Sequence, residues 1–308
     1  MTTYRSLFNK VAPVIGLLIG IAGIAFVVRT LISKWDEVID TFSQVETTTL
    51  LVSLLLGLGA MTSIGALWVS MLQHRGHNIQ HREAMSWYFT GQLGKYVPGG
   101  IWPIVGRGEL AARSGIPRID AYASTGLSLV TTYLGAVITI AISGLFTGDH
   151  SALSTLIIFG LVSSYIIFSN KHLRRIALGF VTKLSPNAQA LTDPNRLVRL
   201  SLTHVPAWVL MSLSTSVTAS AFGIDISIID MLFITSASWF VGFIIIGVPG
   251  GIGVREAVFT SLATGIIGAP AAVSLALMSR LVFIAVDVVG AVTSSLLARS
   301  AKRRKTIA

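Results

Sequence analysis

Two short stretches of this 308-residue sequence concentrate the groups that could do chemistry. The first reads VPGGIWPIVGRGE over residues 97–109, and the second VPGGIGVRE over residues 248–256. In each, a proline stops an incoming helix and the glycines permit positive φ and close backbone approach, while the amides that open the next helix have no intrahelical partners. Such a break presents partial positive charge and free N–H groups, which suit a phosphate or carboxylate. Arg107 and Arg255 stand just beyond the breaks, where a guanidinium could hold a lipid phosphate through two parallel hydrogen bonds, with Glu109 and Glu256 placed to orient them. The alternative is a structural kink whose arginine and glutamate only neutralise one another.

Three further ionisable residues join this set. Arg280 and Asp287 lie seven apart in the last apolar stretch, two turns up one helical face. Charges at membrane depth are expensive and usually face the bundle interior, so a substrate or proton role competes with mutual neutralisation or pairing to Glu256. Lys95, beside the first break, could meet an anionic headgroup or snorkel to the inner interface. The candidate substrate-binding residues are therefore Lys95, Pro98, Gly99, Gly100, Arg107, Glu109, Pro249, Gly250, Gly251, Gly253, Arg255, Glu256, Arg280 and Asp287. No positioned nucleophile and base accompany them, so no catalytic residues are assigned and an enzyme is not expected. His74, His77 and His81 lack metal-site spacing and acidic partners and read as an interfacial loop; no metal or other cofactor is expected. The absence of cysteine excludes disulfides and thiolate chemistry.

The elements that must position these residues are membrane helices. At 53% hydrophobic and 12% charged, the chain carries about half the usual charge of a globular protein, and its mean hydropathy is +0.76. The net charge of +10 does not indicate nucleic acid, because the basic residues cluster at the ends of apolar runs without an interleaved aromatic face. Apolar runs long enough to span a bilayer cover residues 11–28, 47–73, 121–148, 151–170 and 200–224, followed by an interrupted block over 231–298. Lys and Arg gather before the first run, after the second and fourth, and after the last, whereas the alternate loops hold Asp and Glu. This asymmetry predicts that both termini are cytoplasmic, and the expected location is the cell membrane, inner or plasma.

The orientation closes only if residues 83–118 begin and end inside and residues 230–269 begin and end outside, so each must turn back. Pro98 and Pro249 are 151 positions apart, close to half the chain, and the two turn-backs enter from opposite sides. Matched interruptions in two halves are the best sequence pointer to a transporter's midplane site. The expected fold is an all-α polytopic bundle in one membrane domain over residues 1–308. It has about six full spans plus two re-entrant hairpins in an inverted repeat, with halves of about 47–170 and 200–298 around a cytoplasmic loop at 171–199.

The runs GQLGKYVPGG, VPGGIGVREAVF and MSRLVF resemble the flippase-like membrane family that includes the transmembrane region of lysylphosphatidylglycerol synthases. The resemblance extends from about the second span to the last. It implies a helical membrane bundle that moves a lipid or lipid-linked saccharide between leaflets. It carries over Gly94, Pro98, Gly99, Gly100 and Arg107 in the first half, and Pro249, Gly250, Gly251, Gly253, Arg255, Glu256 and Arg280 in the second. Aminoacylating members carry a soluble synthase domain after the membrane region; this sequence ends at Ala308, so a stand-alone member without that activity is expected. The expected partners are anionic or polyprenyl-phosphate-linked lipids and no nucleic acid. The rival reading is a non-transporting membrane partner that docks a glycosyltransferase or lipid synthase.

Overall fold

The computed structural model describes residues 32, 47–96, 101–147, 151–170, 193–245 and 251–307. Among them it is helical throughout, with no strand: it is an integral membrane bundle. Four helices are long and apolar enough to cross a bilayer: α1 (Thr47–Gln73), α4 (Arg118–Gly144), α6 (Pro194–Ala221) and α9 (Ala269–Ile307). Twenty-seven residues of α1 rise about 40 Å, more than the roughly 30 Å of hydrocarbon, and none of them is charged. A further helix, α5 (Ser151–Ser169), matches the fourth expected span. The expected span at 11–28 lies outside the described residues, as do residues 171–192 of the expected cytoplasmic loop.

Both expected turn-backs are present as helix pairs. In the first, α2 (His81–Leu93) tightens into a 3-10 turn, Gly94–Tyr96, and α3 (Trp102–Arg113) leads away. In the second, α7 (Ile228–Ile244) enters and α8 (Val254–Ile267) leaves. The arms of 13, 12, 17 and 14 residues are too short for a full crossing, so the hairpins are re-entrant. Non-helical backbone at membrane depth is tolerable only where it is enclosed by protein or lines a wet cavity.

The halves interlock by exchange. The leading spans α1 and α6 pack along one another, α2 lies against α9 of the other half, and α7 lies against α4. Small polar residues bring the leading pair together. Ser53 Oγ donates to Ser214 O at 2.8 Å and lies 2.7 Å from Thr218 Oγ1, and Ser214 Oγ returns a bond to Ser53 O at 2.8 Å. The two remaining interfaces also rest on close contacts. Gly290 of α9 lies under the Phe89 ring, and Tyr133 of α4 packs on Phe240 of α7. This crossed pairing places described residues of both hairpins around the same interior volume.

Candidate functional site

Each hairpin closes a glycine of its incoming arm against the arginine of its outgoing arm. In the first, a Cβ at Gly91 would stand 3.0 Å from the Arg107 backbone nitrogen; in the second, a Cβ at Gly242 would stand 3.1 Å from the Arg255 Cβ. Gly91 and Gly242 are separated by 151 positions, the offset of the two breaks. Gly251 completes the second closure: its φ is +69°, and a Cβ there would meet Gly242 O at 2.9 Å, so both conformation and space require glycine.

The same offset relates the aromatic residues that face the arginines. The Arg107 guanidinium lies 4.8 Å from the Tyr88 ring and that of Arg255 lies 4.0 Å from the Trp239 ring, cation–π distances for residues again 151 apart. Arg107 also lies 5.8 Å from Trp68, and Arg255 lies 5.6 Å from Phe283. Both arginines are 4% exposed, and among the described residues neither enters an ion pair. Their remaining bonds are long: Arg107 Nε to Pro103 O at 3.4 Å and Arg255 Nη2 to Ser279 Oγ at 3.4 Å.

Both arginines line one cavity of about 490 Å³ between the hairpins, together with Tyr88, Lys95, Ser128, Thr132 and Trp239. Two of these present buried polar atoms without a hydrogen-bond partner among the described residues, Ser128 Oγ and Trp239 Nε1. Such atoms normally find a protein group or water, so their position on the cavity wall marks it as a place for polar contents.

The other charged candidates are matched internally. Glu256 Oε1 accepts from Arg280 Nη1 at 2.6 Å, and Glu256 Oε2 accepts from the Gly253 amide at 2.7 Å. Gly253 has φ +82°, and its amide heads α8. The helix start expected to receive a substrate anion is therefore bonded by the chain's own carboxylate. Lys95 does not snorkel: its Nζ lies 2.5 Å from Asp287 Oδ2, and Tyr96 donates its hydroxyl to that oxygen at 2.5 Å. Asp287 is fully buried, and its Oδ1 has no hydrogen-bond partner among the described residues.

Glu109 faces away from Arg107. It pairs with Arg118 at 2.9 Å and Arg113 at 3.5 Å on the outer side of α3, because side chains two apart on a helix do not share a face. Pro98, Gly99, Gly100, Pro249 and Gly250 lie outside the described residues. His77 and Arg75 both bind Asp120, at 3.0 Å and 2.7 Å. No group of three or more His, Asp or Glu that could hold a metal occurs among the described residues. Tyr88 and Trp239, aromatic residues that the sequence offers for interfacial belts or cavity walls, both line the cavity; Ser128 and Thr132 carry no signal in the sequence, since serine and threonine are common in membrane helices.

The crossed hairpins, the buried arginine pair and the shared cavity define a polytopic membrane protein with an interior chamber walled in part by two arginines. The family model described as the lysylphosphatidylglycerol synthase transmembrane region matches residues 14–290, and the chain belongs to that family. A search of curated proteins finds no significant match.

Proposed function

We propose that the protein is a flippase that moves an anionic phospholipid or lipid-linked saccharide between leaflets, without enzymatic activity of its own. The observation that carries this reading is that Arg107 and Arg255 line one cavity while neither has a carboxylate partner among the described residues. Around the cavity, Lys95, Arg107, Arg255 and Arg280 face two buried carboxylates, Glu256 and Asp287, which leaves the two guanidiniums uncompensated. An uncompensated buried charge is costly, and an anionic headgroup supplies the missing partner. A volume of about 490 Å³ falls in the range of small-molecule sites, enough for a phosphate-bearing headgroup. Membership in a family named for a phospholipid synthase supports a lipid ligand. The protein is placed in the cell membrane by this reading, and the Lys and Arg asymmetry supports cytoplasmic termini.

The test is loss of leaflet asymmetry of a fluorescent phosphatidylglycerol or polyprenyl phosphate in proteoliposomes, compared with empty vesicles. Arg255→Ala should lower the rate roughly ten- to hundredfold, the worth of a charge-assisted hydrogen bond, with the fold intact. Arg255→Lys should recover only part, because an ammonium lacks the planar fork. If folded protein moves none of these lipids yet co-purifies stoichiometrically with a membrane-surface glycosyltransferase or lipid synthase, a docking role replaces transport.

A further inference from the structure

A second hollow lies along the seam between α4 and α7. It measures about 280 Å³ and has only apolar and aromatic walls, among them Val130, Leu134 and Val137 of α4 and Phe240 of α7. Its remaining walls, Leu129, Tyr133 and Phe243, also line the arginine cavity, so the two hollows share one partition. Val130 is 38% exposed and Phe243 is 39% exposed, which puts the hollow on the outer surface of the bundle.

The cross-section of α4 sets the two hollows side by side. Ser128 and Thr132 recur at four residues and turn toward the cavity, whereas Val130, Leu134 and Val137 recur at four and three residues and form a neighbouring stripe. That stripe rises about 10 Å. Between polar and apolar sides stands a ring pair: Tyr133 and Phe243 stack with centroids 3.7 Å apart and planes 13° apart. Phe243 belongs to the last turn of α7, next to Gly242, on which Arg255 packs. Movement of the second hairpin must therefore carry this ring with it.

We propose that the groove seats the hydrocarbon chain of the transported lipid while its headgroup occupies the arginine cavity, with the Tyr133–Phe243 stack as the partition between them. This rests on the transport reading above. The chain is the fitting occupant because the groove lies on the outer surface of a membrane bundle, has no polar wall and is divided from the cavity only by the side chains the two share. A chain moving there from surrounding lipid gains little hydrophobic free energy, so the groove acts by guiding the lipid's path more than by raising affinity.

The experiment reconstitutes the protein in phosphatidylcholine vesicles with a phosphatidylglycerol that carries a photoactivatable group at its acyl-chain end. Adducts are expected within residues 129–137 and 240–243 and should fall when unlabelled phosphatidylglycerol is added in excess. Val137→Trp, which fills the groove, should remove those adducts and most of the translocation rate above empty vesicles. The melting shift produced by glycerol phosphate in detergent should be unchanged, since that probe needs only the cavity. Val130→Trp, at a more exposed position, repeats the test should Val137→Trp fold poorly. Groove-filled variants that transport at the wild-type rate overturn the groove assignment and leave the flippase reading standing. Adducts spread equally over exposed positions of α1 such as Leu51 and Leu55, or loss of the glycerol phosphate shift in both variants, also overturn it. Wild-type protein that neither transports lipid nor responds to glycerol phosphate sinks the flippase reading itself.

Discussion

Lys95→Met should destabilise the bundle by about 3–5 kcal/mol, although it replaces a charged side chain by an apolar one of similar length. Lys95 sits in the 3-10 turn at the tip of the first hairpin, and Asp287 lies on α9, 192 residues away in sequence and 2.5 Å away in space. At that distance and an effective dielectric of about 20, the attraction is about 6–7 kcal/mol, and it offsets the desolvation of both ions. Without Lys95, Asp287 keeps only the Tyr96 hydroxyl, and its unpartnered Oδ1 gains nothing. A double-mutant cycle with Asp287→Leu, read by unfolding in mixed micelles, separates the terms. Lys95→Met/Asp287→Leu should recover most of the loss, because replacing a buried pair by apolar groups is often close to neutral. A single-variant loss below about 1 kcal/mol, the worth of an exposed pair, would refute the reasoning, and so would a double variant whose loss equals the sum of the two singles.

Gly91→Ala should cost about 1–3 kcal/mol by overpacking, since its Cβ would come within 3.0 Å of the Arg107 backbone, and detergent melting against wild type checks it. Glu109→Gln should transport at the wild-type rate, because that carboxylate is paired with Arg118 outside the cavity; a strong loss would return Glu109 to the site. Cysteines introduced at Ser6 and Lys302 should label only from the cytoplasm, and those at Asp149 and Ser227 only from outside, with no background from a cysteine-free chain. Labelling of position 302 from outside would break the inverted topology.

Much of this architecture is legible in the sequence because lipid leaves few choices. An apolar run of about 20 residues must be a helix there, since every backbone polar group has to be satisfied within it. The Pro-Gly-Gly breaks in matched positions announce the two hairpins, and the short arms observed on either side follow from them. The burial of Arg107 and Arg255 follows from the cost of a charge facing hydrocarbon. Helical geometry could even have separated Arg107 from Glu109, and Arg255 from Glu256, since neighbours one or two apart do not face each other.

Only the tertiary structure decides which charges meet. Arg280 and Asp287 share a face of α9 but lie about 10 Å apart along it, too far to pair with one another. Crossed packing gives Arg280 to Glu256 of the second hairpin and Asp287 to Lys95 of the first, so one span is tied to both hairpins. No local pattern encodes a partner 192 residues away; it exists because α2 of one half lies against α9 of the other. Once those pairs are made, two arginines remain without carboxylates among the described residues, and both line the chamber.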